Sequence, residues 1–228
     1  MSTLIKHPYM KRLYKTLAII FQLLFMLFLP FWLLIRGSVF LYEAYGWHYS
    51  LAILACSVCV FLVLLIYVAM VWDAVFGANK ISRKSLKVKI ALVIGFMFLY
   101  AGYTLFNLSN ANAKTEEVRK EYRALHPYLR IAVGTFVFVD NGVLVTDLSR
   151  KKEDYKKMGL KTLNHSLHYP QSTGYVHAMD LRTKGRNEVR NTLLKWYFQL
   201  MGFNTLRHIG TADHLHVSLT NRDRPKAI

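Results

Sequence analysis

Three apolar runs, each close to the length that crosses a bilayer, constrain this chain more than any other feature. They span about Leu17 to Ile35, Leu51 to Val71 and Ile90 to Leu108. An α-helix rises about 1.5 Å per residue, so about 20 apolar residues cover the roughly 30 Å of hydrocarbon in a membrane. The first run, LAIIFQLLFMLFLPFWLLI, carries no charge. It is longer than the apolar core of a signal peptide and two more runs follow, so three transmembrane helices are expected rather than a cleaved leader. Pro30 predicts a kink in the first, which membrane helices tolerate. Trp32, Tyr42, Tyr45, Trp47 and Trp72 lie near the run ends, where aromatic belts form.

Positive charge between the runs sets the expected orientation. The N-terminal tail holds Lys6, Lys11, Arg12 and Lys15, and the second connection holds Lys80, Arg83, Lys84, Lys87 and Lys89. The first connection, Gly37 to Ser50, has no Lys or Arg. Tail and second connection therefore face the cytoplasm, and three crossings deliver the rest of the chain to the far side. In a bacterium that side is the periplasm or the outer face of the cytoplasmic membrane.

The hydrophobic share of 54% is concentrated before about residue 108, so the expected division is a membrane module over 1–109 and one small domain over 110–228. Of the 30 Lys and Arg, 20 fall after residue 109 against 11 of the 13 acids, leaving the domain near +9. A basic surface suits an anionic partner such as lipid headgroups, nucleic acid or an acidic wall polymer. No nucleic-acid-binding motif accompanies the charge, so no nucleic-acid partner is expected. Cys56 and Cys59 form a CxxC, but inside the second apolar run and with no second pair. They read as packing or lipid-facing residues.

Within the domain, Ala113 to Ala124 has charged helical spacing and reads as a stalk helix. Ile131 to Val139 (IAVGTFVFV) is rich in β-branched and aromatic residues and reads as a strand. Asp140-Asn141-Gly142 is a turn signal, and Val143 to Val145 then reads as the return strand of a hairpin. Helical patterns follow at Lys151 to Met158 and Asn187 to Met201, the second closed by Gly202. A final strand is expected at His214 to Leu219. The mixture is α+β: helices packed on a small antiparallel sheet.

Six of the nine histidines lie between residues 165 and 216. One group is His165, His168 and His177 with Asp180; the other is His208, His214 and His216 with Asp213. Three imidazole or carboxylate ligands around an open fourth position is what catalytic zinc requires. In a strand, the HxH of His214 and His216 puts both rings on one face, so one can bind metal while the other meets substrate.

The segment Ser166-Leu167-His168-Tyr169, continuing to a Gly, an Ala and Asp180-Leu181, resembles the SxHxxGxAxD signature of zinc DD-peptidases and LAS-type murein peptidases, whose fold the hedgehog signalling domain shares. Gly202-Phe203 followed by His214-Leu215-His216-Val217-Ser218 is similar to the closing GF…HxHxS pattern of that superfamily. Val145 to Arg150 resembles the strand-turn segment that supplies an arginine. The likeness covers roughly residues 130 to 220 and none of the spans.

The resemblance implies a hedgehog/DD-peptidase-like domain with Zn2+ held by His168, Asp180 and His216. It implies that His214 assists proton transfer and that Arg150 holds the developing oxyanion or a substrate carboxylate. His168 and Asp180 stand twelve residues apart, farther than in the signature. Either a loop is inserted between them or His177 replaces His168 as ligand. The general-base Glu that many members carry before the last ligand is missing. Asp213 is the nearest carboxylate, but strand alternation with His214 turns it away. His214 and His208 are the candidates for that role.

The expected activity is a membrane-anchored zinc metallopeptidase cutting peptidoglycan stem peptides or crosslinks. The alternative is a non-catalytic zinc module that binds wall or a protein partner, with the three-span region as a further partner surface. A channel or pore reading is disfavoured, because the spans hold almost no ionisable residue and Asp73 sits only at an end.

Overall fold

The computed structural model describes residues 8–76, 83–157, 159, 161, 166–210 and 212–219. Lys6, Lys80, Met158 and His165 lie outside the described residues. Three long helices open the chain: α1 (Pro8–Tyr45), α2 (Tyr49–Phe76) and α3 (Arg83–Phe106). All three are long and apolar enough to cross a membrane, over Met10–Tyr45, Tyr49–Asp73 and Lys84–Phe106. Pro30 lies inside α1. Gly37 of α1 lies so close to α2 that a Cβ there would stand 2.9 Å from the Cys56 Sγ. The end of α1, the start of α2 and the end of α3 all meet the second half of the chain. At the opposite end Lys89 pairs with Asp73 at 3.2 Å.

Residues 113–124 do not form a continuous stalk. A single 3-10 turn at Asn110–Asn112 leads to the short α4 (Glu116–Glu121) and a second 3-10 turn at Tyr122–Ala124. The segment folds back because it has buried partners to reach. The Tyr122 hydroxyl lies 2.7 Å from the Thr104 carbonyl and 3.0 Å from that of Arg130. The Asn112 amide donates to the carbonyls of Asn141 and Val143.

The largest correction concerns residues 131–139, which are helix and not strand. α5 (Pro127–Val139) begins with Pro127 in the first turn, where its missing N–H costs nothing. The His126 ring caps it by accepting from the Tyr128 amide. An unbroken apolar run is compatible with a buried strand or with a helix buried all round, and here packing decides for the helix. α5 is enclosed by α3, α1 and a later helix, α7 (Glu188–Leu200). Gly134 permits the approach to α3: a Cβ there would stand 3.0 Å from Thr104. The Asp140-Asn141-Gly142 turn exists, with the Gly142 amide donating to the Asp140 carboxylate, but it joins a helix to a strand, so there is no hairpin.

Four strands form one antiparallel sheet in the order β1 (Val145–Asp147), β2 (Ala178–Arg182), β4 (His214–Ser218), β3 (Asn204–His208). This agrees with an α+β class and a small antiparallel sheet; β2 and β3 were not read from the sequence. α6 (Lys152–Lys157) follows β1. α7 ends at the expected Gly202 cap and begins with a second cap at Asn187. The Asn187 side chain accepts from the Val189 amide, and Gly202 closes the helix at φ +96°, a backbone conformation that glycine adopts without strain.

Strand alternation gives the sheet two unlike faces. Met179, Leu181, Leu215 and Val217 are fully buried, in one cluster with Leu194 and Phe198 of α7 and Leu129 and Val133 of α5. Asp180, His214 and His216 occupy the opposite face. The buried cluster also takes in Ile35 and Val39 of α1 and Ala52 and Cys56 of α2, so the second half of the chain is packed directly onto the helix ends.

Candidate metal centre

The site is built on the polar sheet face where β2 and β4 pair, with Asp180 opposite His216. His168 enters from the loop before β2. Its Nδ1 lies 2.6 Å from the Leu148 carbonyl, which has no proton to give, so Nδ1 is the donor. A neutral ring then presents the Nε2 lone pair to the site, the arrangement that second-shell bonds impose on metal-binding histidines. Ser166 steadies the same loop: its hydroxyl accepts from the His168 amide at 3.3 Å and bonds the Tyr155 hydroxyl at 2.7 Å.

Three ligand atoms converge. His216 Nδ1 lies 2.9 Å from Asp180 Oδ1 and 3.3 Å from His168 Nε2, and His168 Nε2 lies 3.5 Å from Asp180 Oδ1. His168 and Asp180 are each 3% exposed, whereas His216 is half-buried, so the cluster has a closed floor and an open side. A tetrahedral ion with metal–nitrogen bonds of about 2.0–2.1 Å holds its ligands about 3.3 Å apart. The three spacings, 2.9, 3.3 and 3.5 Å, lie around that edge, the shortest being a hydrogen-bond length.

The chemistry of the donors points the same way. Burial alone would raise the Asp180 carboxyl, but the His168 and His216 imidazoles beside it and the nearby Arg150 charge hold it far below the usual carboxylate range. An ionised carboxylate beside an oriented imidazole lone pair is a donor set able to hold a cation. Among the described residues this is the one group of three or more His, Cys, Asp or Glu side chains able to hold a metal ion.

The remaining residues named from the sequence fall into three sets. His214 stands beside the triad. Its Nδ1 donates to the Ala212 carbonyl at 2.6 Å, which leaves Nε2 free to accept, 3.7 Å from Asp180 Oδ2. The His208 ring stacks on His214 at 4.8 Å, and burial with the neighbouring His214 and His216 lowers its pKa. Arg150 lies against the triad but is occupied: Nε donates to Asp147 at 2.7 Å and Nη2 to Asp180 at 2.6 Å. An irregular register between Val145 and Asp147 aligns Asp147 with Asp180 and creates this two-carboxylate seat.

The third set lies apart from the triad. Asp213 is held by Thr183 at 2.5 Å and by the Arg207 guanidinium, whose hydrogen bonds, with that of Thr183, lower its pKa to about 2. It is therefore no general base for the site. His177 bonds Thr173 at 2.8 Å and packs edge-on against His126 at 4.8 Å. It belongs to an aromatic cluster with Tyr42, Tyr49, Tyr128 and Tyr175 that seats the sheet on the ends of α1 and α2. Sequence reasoning gave Asp147, Leu148 and His126 no role. The short Asp147–Arg150 spacing was a signal for the first, while a backbone carbonyl such as that of Leu148 leaves no trace in sequence.

The chain matches no protein-family model, no curated protein and no solved structure.

Proposed function

We propose that this chain is a membrane-anchored zinc peptidase of the hedgehog/DD-peptidase type, acting on peptidoglycan stem peptides or crosslinks at the outer face of a bacterial cytoplasmic membrane. The observation that carries the reading is the convergence of His168 Nε2, Asp180 Oδ1 and His216 Nδ1 at tetrahedral spacing on an open sheet face. Two nitrogens and one carboxylate oxygen suit zinc. Zinc bound there supplies a Lewis acid that polarises a peptide carbonyl and brings a water nucleophile within reach of neutral pH.

The chain's own residues supply the rest. His214, with Nε2 free, accepts a proton at the mouth of the site and returns it to the leaving amine. Arg150 fixes Asp180 and lends positive charge where an oxyanion develops. The exposed first connection between α1 and α2 lies on the same side as the domain, and the start of α3, with Lys84, Lys87 and Lys89, lies at the other end. Both support a cytoplasmic N-terminus and a domain on the far side.

A second reading, a zinc module without turnover, is favoured by one observation. Asp147 and Asp180 are both committed to Arg150, and Asp213 to Arg207 and Thr183, so among the described residues no free carboxylate stands at the mouth of the site as a base. Digestion of purified sacculi by the full chain in detergent, read by mass spectrometry with and without a chelator, separates the two. Chelator-sensitive release of stem-peptide fragments supports the peptidase. Intact sacculi in the presence of a zinc-loaded, folded chain would leave only the binding module.

A further inference from the structure

After residue 106, eight large apolar side chains are exposed among the described residues. Six of them sit on two neighbouring helices: Phe138 and Val139 at the end of α5, and Val189, Leu193, Trp196 and Leu200 along α7. The α7 residues follow a four-three-four spacing, which stacks them in one narrow stripe. The stripe lies opposite Asn191, Leu194 and Phe198, the residues with which α7 faces the core. A soluble helix normally presents charge there. Here the four apolar residues are 52–67% exposed.

Both ends of α7 are tied to the elements that meet the long helices. At its C-terminus, Gly202 touches Arg36 and Val39 of α1, where a Cβ would stand 2.6 Å from the Arg36 guanidinium. At its N-terminus, Arg186 and Arg190 grip Asp140, the residue just after α5. α5 itself packs Phe138 against Tyr103 in the last turns of α3, with ring centroids 4.7 Å apart. Midway, the Tyr197 hydroxyl donates to the Ala132 carbonyl of α5. α7 thus runs from Arg36 and Val39 of α1 to α5, which packs on α3, with its apolar stripe exposed.

We infer that α7 is an interfacial helix: Val189, Leu193, Trp196 and Leu200, together with Phe138 and Val139, are seated in the headgroup and upper acyl region of the bilayer that the three spans cross. The composition fits that layer. Tryptophan and leucine line the stripe, and the cations Arg190 and Lys195 flank it at headgroup level, the pattern of helices that lie in the membrane plane with their apolar face about 5–10 Å deep. The patch adjoins α1 where Gly202 meets Val39, and α3 where Phe138 meets Tyr103, so the lipid around those spans is at hand to bury it. Because the sheet packs on α5 and α7 through its apolar face, the His168–Asp180–His216 cluster opens on the side turned away from this helix.

The test uses the full chain in lipid vesicles. Tryptophan emission is compared between the parent chain and Trp196→Phe, and the difference isolates Trp196. Phosphatidylcholine brominated near the top of its acyl chains should remove most of that difference signal, while aqueous acrylamide should remove little of it. Strong acrylamide quenching without bromolipid quenching would overturn the proposal in favour of a solvent-facing stripe. Protection from both quenchers, with chain-to-chain crosslinks at α7, would overturn it in favour of a second copy. A nitroxide at Leu193→Cys in a Cys59→Ser background gives a readout that needs no subtraction. Relaxation by oxygen over a water-soluble nickel chelate is the expected result, and the reverse order rejects the inference.

Discussion

His168 donates its Nδ1 proton to the Leu148 carbonyl across 2.6 Å, and that bond decides which ring nitrogen looks at Asp180 and His216. The carbonyl belongs to the residue after β1, and the ring it orients comes from a loop twenty residues farther on. Any metal affinity of the cluster depends on this tautomer, because only a ring with its proton on Nδ1 offers Nε2 as a ligand.

His168 and His177 can be told apart by metal content. His168→Ala should bring zinc per chain close to zero. His177→Ala should leave it intact while loosening the aromatic cluster around His126. Elemental analysis of the two purified variants reads the difference directly.

His214→Ala should keep its zinc and lose turnover. Proton-transfer groups of this kind contribute about 10²–10⁴-fold, so a fall of about a hundredfold in kcat with little change in KM is expected. Steady-state kinetics on a stem-peptide substrate provides the check.

Arg150→Met should destabilise the metal-free chain strongly. Arg150 is largely buried between Asp147 and Asp180, and removing one partner of such a pair costs about 3–5 kcal/mol. Added zinc, itself a cation beside Asp180, should recover part of the loss. Thermal unfolding of parent and variant, each with chelator and with zinc, tests both statements.

Stability should fall on mild acidification because of His126. Its ring is fully buried with Nε2 unpartnered, and burial, then His177 and Arg130, lower its pKa well below the ordinary value. The folded chain keeps the ring neutral while the unfolded chain protonates it below about pH 6.5. The unfolded state therefore binds more protons in that range. Stability is full above about pH 7 and declines by about 1.4 kcal/mol per unit below about 6.5. His126→Phe should lower stability overall, since the helix cap is lost, yet flatten this slope in denaturant titrations between pH 5 and pH 7 (about the range where only histidine changes charge).

Gly134→Val should separate α5 from α3. A side chain there meets the Thr104 backbone and side chain at 3.0 Å, with no flexible group to yield. Overpacking of this kind costs about 1–3 kcal/mol, and a lower unfolding temperature is expected for the full chain in detergent.

Much of this structure was legible in the sequence, and the reasons for the exceptions are physical. The three long helices announced themselves because nothing but lipid accommodates such runs. α7 was visible through its helical pattern and the closing Gly202, and β4 through the alternation of His214, His216 and Ser218. The two His/Asp clusters stood out by residue type, but the set His168, Asp180 and His216 was named only through the family resemblance, with His177 open as an alternative to His168. Residues 131–139 misled because an all-apolar segment loses the periodicity that separates strand from helix. Its enclosure by α3 and α7 is a tertiary fact. β2 and β3 are five-residue strands with side chains of mixed character, and their pairing depends on β4 lying between them. The seating of Arg150 between two carboxylates was hidden because it needs the irregular β1 register.

Zinc content of the purified full chain is the most direct test of the proposed centre. One zinc per chain is expected by elemental analysis after dialysis against trace metal, with His216→Ala folded but empty. A folded parent chain that holds no zinc, or a His216→Ala chain that binds it as tightly as the parent, would contradict the assignment.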